Sequence, residues 1–535
     1  MRRHIIATVI LLVFTGVVTV LYFNNLSFPG QQSGKVMSAI PASAALVFEY
    51  KNDQEFYDIF NTNNLLTTLI SRQRSAELAD LKTSVLQNPS IKALFDGQSI
   101  FISIHPQKDS LEFLITTSGN NRIQDELNKF AGQKSVDIVV NTTTFAGKPG
   151  FIIDLAQSKR KLYLVNQNDN IFSAGFSKQL VEAAATYHNQ KHDAIFVQMT
   201  DQQNANSIAN LYVNYLELDP LFDALFKGKN NDLFRSFRQL PAVASLNLNY
   251  KSDALMFNGL SHIRTTEANS YLSLFKYQEP TTNKLKDIFP STTAYSVNFA
   301  VSDPVKFENN LFQWEQQSGV NTERKAVLNR IQHETAVDLA KQFMNVLGNE
   351  FAIITTRYQE KLAIVKLTNG LQLRPFMVNI STMLNGDAGQ FNYDKLPSFL
   401  LGDAFGIFKR PYFIIADNYL FLCNSQAGLM EYYRNYTNGN FLSNDADYRR
   451  FDNLQAEKSN ISFFIQFKNA QQLLMSQLEP NYAEAFATKN SSWNNYYAAA
   501  YQFTAADKDF YTNFYMRLNM PDTAKKKTKN LHLTH

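Results

Sequence analysis

The chain has 535 residues but one cysteine, two tryptophans and eight histidines. A lone Cys423 cannot close an internal disulfide, so stability must come from packing. It sits in the apolar run Tyr419-Leu420-Phe421-Leu422-Cys423, which reads as a buried, inert thiol rather than a nucleophile. Two of the eight histidines fall in the last four residues, leaving few for acid–base chemistry. There is no Gly-x-Ser-x-Gly elbow and no glycine-rich phosphate loop. Charged residues are scarce at 18%. The net charge is +4, but Arg2, Arg3, Lys525, Lys526, Lys527 and Lys529 place six cations at the two ends. The body between them is therefore near −2 and offers no basic face to a nucleic acid. Apolar residues are what the chain has in quantity, 45% hydrophobic and 13% aromatic, enough for large cores and two or more domains.

From Ile5 to Phe23 no side chain is charged. Helical residues rise about 1.5 Å each, so this run spans roughly the 30 Å hydrocarbon core of a bilayer. Arg2 and Arg3 favour a cytosolic N-terminus. A cleavable signal peptide would have a shorter apolar region and a small-x-small site, and Tyr22-Phe23-Asn24-Asn25 has none. No cysteine follows the run for lipoprotein processing. The expectation is a cytosolic stub at 1–3, a single-pass signal anchor at 4–23, and a polar stalk at 24–38. The body is then extracytoplasmic, with the lipid bilayer as its first partner through residues 4–23.

The body echoes itself. Ala39-Ile40-Pro41-Ala42-Ser43 matches Ile288-Phe289-Pro290-Ser291-Thr292, and an apolar strand follows each. Gly97 to Ile102 resembles Gly348 to Ile353, and both glycines are expected at equivalent turns. Asn170 to Ser173 resembles Asn418 to Phe421, and helices Ser177 to Tyr187 and Ser425 to Tyr436 follow. Leu211 to Tyr215 resembles Phe463 to Phe467, and Ala254 to Asn258 resembles Asp509 to Asn513. The spacing stays at about 250 residues throughout, as an internal duplication requires. Leu246, Leu248 and Tyr250 alternate with Asn247, Asn249 and Lys251, the pattern of a half-buried antiparallel strand. Short turns such as Gln107-Lys108-Asp109 and Tyr358-Gln359-Glu360 imply hairpins. Thr322 to Leu347 shows one helical apolar stripe. The expected class is α+β. A transmembrane helix precedes two tandem, duplicated domains of antiparallel sheet plus helices, 39–264 and 288–520. A connector at 265–287 joins them and a basic tail at 521–535 ends the chain.

An anchor, a polar stalk, an Ile-Pro-x-Ser opening at Ile40 to Ser43 and two long α+β halves form a recognisable order. In this the chain resembles an uncharacterised family of bacterial envelope proteins that carries a "domain of unknown function". The resemblance implies an envelope location and supplies no activity or site residue.

His188 and His192 stand one helical turn apart, a spacing that can hold zinc or another transition metal. No glutamate of a metalloprotease helix accompanies them, and Asn189, Gln190 and Lys191 around them read as a solvated helix end. Asn385 to Asp394 resembles a piece of a calcium loop without its ladder of acids or closing glutamate, and Gly386 and Gly389 fit turns better. Trp493, Tyr496, Tyr497 and Tyr501 form the strongest candidate for an exposed aromatic contact surface, suited to protein or glycan, although core or edge packing is the favoured reading of the same residues. No cofactor is expected. The reading is a membrane-anchored, extracytoplasmic binding or scaffolding protein of the cell envelope. The rivals are an envelope-acting hydrolase with a site assembled from distant residues, and a small-molecule or lipid-binding protein.

Overall fold

The structure, a computed structural model, describes residues 34–53, 56, 97–107, 110–119, 121–131, 138–155, 159–167, 170–187, 207–228, 240–251, 253–264, 270–385, 387–487 and 492–519. Among these described residues twenty strands make one sheet. In the first half they are β1 (Leu46–Lys51), β2 (Ser99–Gln107), β3 (Ser110–Ser118), β4 (Ile138–Phe145), β5 (Lys148–Leu155), β6 (Arg160–Asn166), β7 (Ile171–Gly175), β8 (Ala209–Asn214), β9 (Ala242–Lys251) and β10 (Ala254–Ile263). In the second they are β11 (Thr293–Ala300), β12 (Leu347–Thr356), β13 (Lys361–Leu367), β14 (Ser381–Asn385), β15 (Ala388–Phe391), β16 (Tyr412–Ala416), β17 (Tyr419–Cys423), β18 (Ile461–Gln466), β19 (Tyr496–Ala506) and β20 (Asp509–Leu518).

Antiparallel pairing runs β4-β5-β6-β7-β3-β2-β1-β8-β9-β10 across the first half. It runs β14-β15-β16-β17-β13-β12-β11-β18-β19-β20 across the second. Within the halves, strands whose numbers differ by ten have corresponding neighbours. The two series then join, because β10 pairs with β20 from Ala254↔Arg517 to Ser261↔Phe510. Asn258, the fifth residue of β10, faces Asn513, the fifth of β20. A pseudo-two-fold axis therefore passes through that pair. Both ends of the seam are clasped: His262 Nδ1 lies 3.1 Å from Asp509 Oδ2, and Arg517 Nε lies 3.2 Å from Asp253 Oδ2.

This overturns the expected two tandem α+β domains, each with a sheet of its own. The closing strand of each half is the hydrogen-bonding partner of the other, so neither half ends in a free edge there. The largest core cluster is shared as well: Phe48, Phe151 and Phe257 join Phe299, Phe351 and Phe503 in it. The molecule is one sheet-rich body with helices on it. Residues 4–23 and the basic tail lie outside the described residues. Among the described residues no helix is long and apolar enough to cross a membrane. The end of the expected stalk belongs to the body, since Val36 and Met37 are buried against Val47, Phe101, Tyr212 and Val243.

The helices used below are α1 (Asn121–Phe130), α2 (Lys178–Thr186), α3 (Leu218–Leu225), α4 (Pro304–Gln317), α5 (Asn321–Thr335), α6 (Leu339–Val346), α7 (Gly370–Ile380), α8 (Leu396–Leu401), α9 (Gln426–Thr437) and α10 (Phe467–Gln477). They recur too: α1 and α7 follow β3 and β13, α2 and α9 follow β7 and β17, and α3 and α10 follow β8 and β18. Ser177 caps α2 by accepting the Leu180 N–H at 3.3 Å, and Ser425 caps α9 by accepting the Gly428 N–H at 3.0 Å. The expected single helix Thr322 to Leu347 is two helices. Ala336 adopts a left-handed φ of 59°, and the Asp338 carboxylate then accepts the Lys341 N–H at 3.2 Å to start α6. Of the two glycines expected at turns, only Gly97 has a positive φ, 72°. Gly348 lies inside β12, where a Cβ would come within 2.8 Å of the Lys366 carbonyl oxygen.

Candidate binding surface

His188 and His192 lie outside the described residues. Trp493 falls in a short 3₁₀ turn, Ser492–Asn495. The tyrosines follow the favoured core-packing reading rather than the candidate exposed surface. Tyr496 is buried in the shared core and Tyr497 in a second core beside Phe451 and Phe464. Both faces of β19 are covered, so consecutive side chains are buried on opposite sides. The Tyr501 hydroxyl meets that of Tyr215, which also meets Ser261 Oγ at 2.9 Å. In the calcium-like stretch, Asp387 is held by Arg374 at 2.8 Å and Asp394 lies 3.8 Å from Arg410. Among the described residues no group of three or more His, Cys, Asp and Glu side chains is placed to hold a metal ion.

One arrangement in the first half has the outline of a nucleophile and its base. Ser43, exposed in the turn before β1, places Oγ 2.9 Å from His105 Nδ1. His105 Nε2 is 2.8 Å from Ser103 Oγ, which donates to the Leu114 carbonyl at 3.2 Å. That donation makes Ser103 the acceptor of the Nε2 proton, and Nδ1 the acceptor of the Ser43 hydroxyl. A general base must then become an imidazolium, yet burial holds His105 down at about 3. Its far nitrogen faces a hydroxyl rather than a carboxylate. The three residues are matched to one another and tie the 41–44 turn to β2.

The second half offers a surface instead. The N-terminus of α7 is fixed by Asn369, whose side chain accepts the Leu371 N–H at 3.0 Å, and by Asn418, which accepts the Gly370 N–H at 3.1 Å. The inner face of α7, Leu373, Met377 and Ile380, is fully buried. With Phe343, Leu400 and Leu422 it walls an apolar cavity of about 10 Å³. That is room for about one water-sized probe. Beside it, Arg324 ties three helices together. Its Nε donates to the Phe399 carbonyl of α8 at 3.0 Å and lies 3.1 Å from Glu315 Oε2 of α4. Burial pushes the Glu315 carboxyl up to about 7, against the opposing pull of Arg324.

The outer face of α7 is apolar too. Leu371 is 65% exposed and Val378 56%, with exposed Pro375 between them at helical spacing. Leu384 on the adjoining edge strand β14 is 41% exposed. Apolar residues on both sides of a helix mark a buried helix or one awaiting a partner. Helix α1 occupies the matching place in the first half. When buried Ile123 and Leu127 of α1 are matched to Leu373 and Met377, exposed Asp125 and Asn128 fall where α7 has Pro375 and Val378. The fold accepts a polar outer face in this place, so packing does not require the apolar one. In the sequence, the signal was a second stripe at i, i+4 and i+7, offset by two residues from the core stripe.

No protein-family model matches the chain, and no curated protein is similar to it. Among solved structures, "Structure of crystal form IV of TP0453" is similar over 42% of this chain and 79% of that chain, with 9% identity. Its TM-score is 0.21, too low to carry an argument about fold or function.

Proposed function

We propose that this is a single-pass, membrane-anchored protein whose extracytoplasmic body binds or scaffolds another envelope component, and that the outer face of α7 is its contact surface. The anchor rests on the uncharged run Ile5 to Phe23. The surface rests on one observation: α7 exposes Leu371, Pro375 and Val378 where its counterpart α1 exposes Asp125 and Asn128. Leaving large apolar side chains in water forgoes about 1.5–3 kcal/mol for each that a partner would bury. A contiguous apolar patch of this kind marks a contact site in a water-facing body.

The test is site-specific photocrosslinking in the full chain in its own membrane. A crosslinker placed by substitution at Val378 is expected to give a discrete adduct, and one at Asn128 is not. No adduct at Val378, or equal adducts at both positions, overturns the proposal.

A further inference from the structure

We infer that a partner protein adds an extended, uncharged segment to the open edge of β4, as one more strand of the sheet. The inference goes beyond the surface on α7 and uses a different part of the body. Strand pairing ends at β4 on one side of the sheet and at β14 on the other. The two ends are built differently. β14 is blunted: it has five residues, and its register with β15 shifts between Met383 and Asn385. β4 has eight residues in unbroken register with β5. It contains no charged residue, proline or glycine. Asn141, Thr142 and Thr144 are exposed and Thr143 is half-buried. Proteins commonly guard such an edge with charge, proline or a bulge, because it is a template for another strand.

The turn between β4 and β5 decides which backbone groups are open. Ala146 and Gly147, with φ of 48° and 81°, form a two-residue hairpin turn. In such a hairpin the flanking residues, here Phe145 and Lys148, exchange both hydrogen bonds, and bonded pairs then alternate along the strands. Phe145, Thr143 and Asn141 therefore bond inward to β5. Thr144, Thr142 and Val140 turn their N–H and C=O groups outward. Two observations agree with this parity. Thr144 faces Pro149, which has no N–H to give it. Val140 already makes a parallel bridge with Ala131 on the outer side. Among the described residues no other strand pairs with this edge. Thr142 and Thr144 thus offer two N–H and two C=O groups in strand order. Extended polypeptide supplies the matching alternation of donors and acceptors, which glycan, lipid and nucleic acid lack. Asn141 to Thr144 offer no counter-charge, so the segment they match is uncharged. A second copy fits less well, because its own β4 stops at the Ala146-Gly147 turn, whereas a free segment runs on past it.

The test is photocrosslinking of the full chain in its own membrane, with the crosslinker placed by substitution at Asn141. A discrete adduct with another protein is expected. Thr142→Pro and Thr144→Pro remove outward N–H groups and leave the bonds to β5 in place, so each should reduce the adduct several-fold. Thr142→Val and Thr144→Val keep those N–H groups and should leave it unchanged. Melting temperatures near that of the wild type establish that the variants fold. Hydrogen exchange of the unsubstituted chain asks the same question without them. The Thr142 and Thr144 amides are expected to exchange several-fold faster in the purified protein than in the membrane. Equal exchange in both overturns the inference. So does the absence of an adduct, an adduct that the prolines leave unchanged, or one that the valines abolish as well. An adduct of twice the chain's mass also overturns it, in favour of a second copy. The crosslinker at Val378 reports on α7 alone, so either surface can fail without the other.

Discussion

Beside the seam the two halves solve the same packing problem with different chemistry. On one side Tyr215, Ser261, Tyr501 and Thr512 form a buried hydroxyl network, with Ser261 Oγ 2.7 Å from Thr512 Oγ1. The pseudo-two-fold carries these four to Phe467, Met516, Leu246 and Phe257, which are hydrocarbon or thioether and also buried. The buried carboxylates differ likewise. Glu49 of β1 accepts from Asn210 and Tyr212 at 3.0 and 2.8 Å. Glu350 of β12 accepts the Lys284 and Leu285 N–H groups at 2.9 Å, binding the connector to the sheet. Strand order is thus kept by backbone pairing and apolar alternation while side chains vary around it. Where a difference between the halves has no packing consequence, as on the outer faces of α1 and α7, its cause lies outside the fold.

The sharpest way to break this comparison is to copy a residue across the axis. Gly259 is the sixth residue of β10, and its counterpart in β20 is Phe514. A Cβ at Gly259 would lie 1.9 Å from the Ser245 carbonyl oxygen, which is backbone and cannot swing away. Gly259→Phe is therefore expected to cost at least about 3 kcal/mol, or to prevent folding, in a denaturant titration. Tolerance of this change would mean that the seam strands are interchangeable residue by residue.

A smaller effect separates the halves by pH. In the second half, burial holds Glu315 up at about 7 from an ordinary 4.5. The unfolded chain ionises it more readily, so its contribution is full below pH 4.5 and is lost as pH rises through about 7. In the first half, burial holds His105 down at about 3 from an ordinary 6.5. Its contribution is full above pH 6.5 and is lost as pH falls toward 3. Melting curves from pH 8 to 4.5 should show Glu315→Gln removing a gain on acidification, on the order of 2 kcal/mol. They should show His105→Asn removing a loss. Curves that stay parallel to the wild type would mean that neither group is held as described.

Much of the local structure was legible because its causes are local. Serines 177 and 425 stop a strand and start a helix by capping it, and Leu246 and Leu248 alternate with asparagines because one side of β9 is buried. The join of β10 to β20 has no local cause. Its partners lie about 250 residues apart, and strand edges show no pattern that names their neighbour. That is why two domains were expected where one sheet exists. The tyrosines after Trp493 were ambiguous in the sequence for a related reason. Tyrosine suits both interfaces and cores, and what buries Tyr497 is Phe451 and Phe464, which no spacing rule links to it. The second stripe of α7 was readable in the sequence, but only the polar face of α1 shows that the fold does not need it.

The smallest expected effect bears most directly on function. Leu371→Asn with Val378→Asn gives α7 an outer face like that of α1. Both side chains are mostly in water, so the double change should alter stability by no more than about 0.5 kcal/mol in chemical denaturation. Asparagine is a somewhat poorer helix former than leucine, and that cost lies within this margin at exposed positions. The inner face, Leu373, Met377 and Ile380, is untouched and still closes the cavity. A loss well above 1 kcal/mol would mean that the stripe packs against the body itself. The difference between α1 and α7 would then belong to the fold, and the case for a contact surface would fall with it. A neutral result leaves the apolar residues without a structural duty, which is what a binding face requires of them.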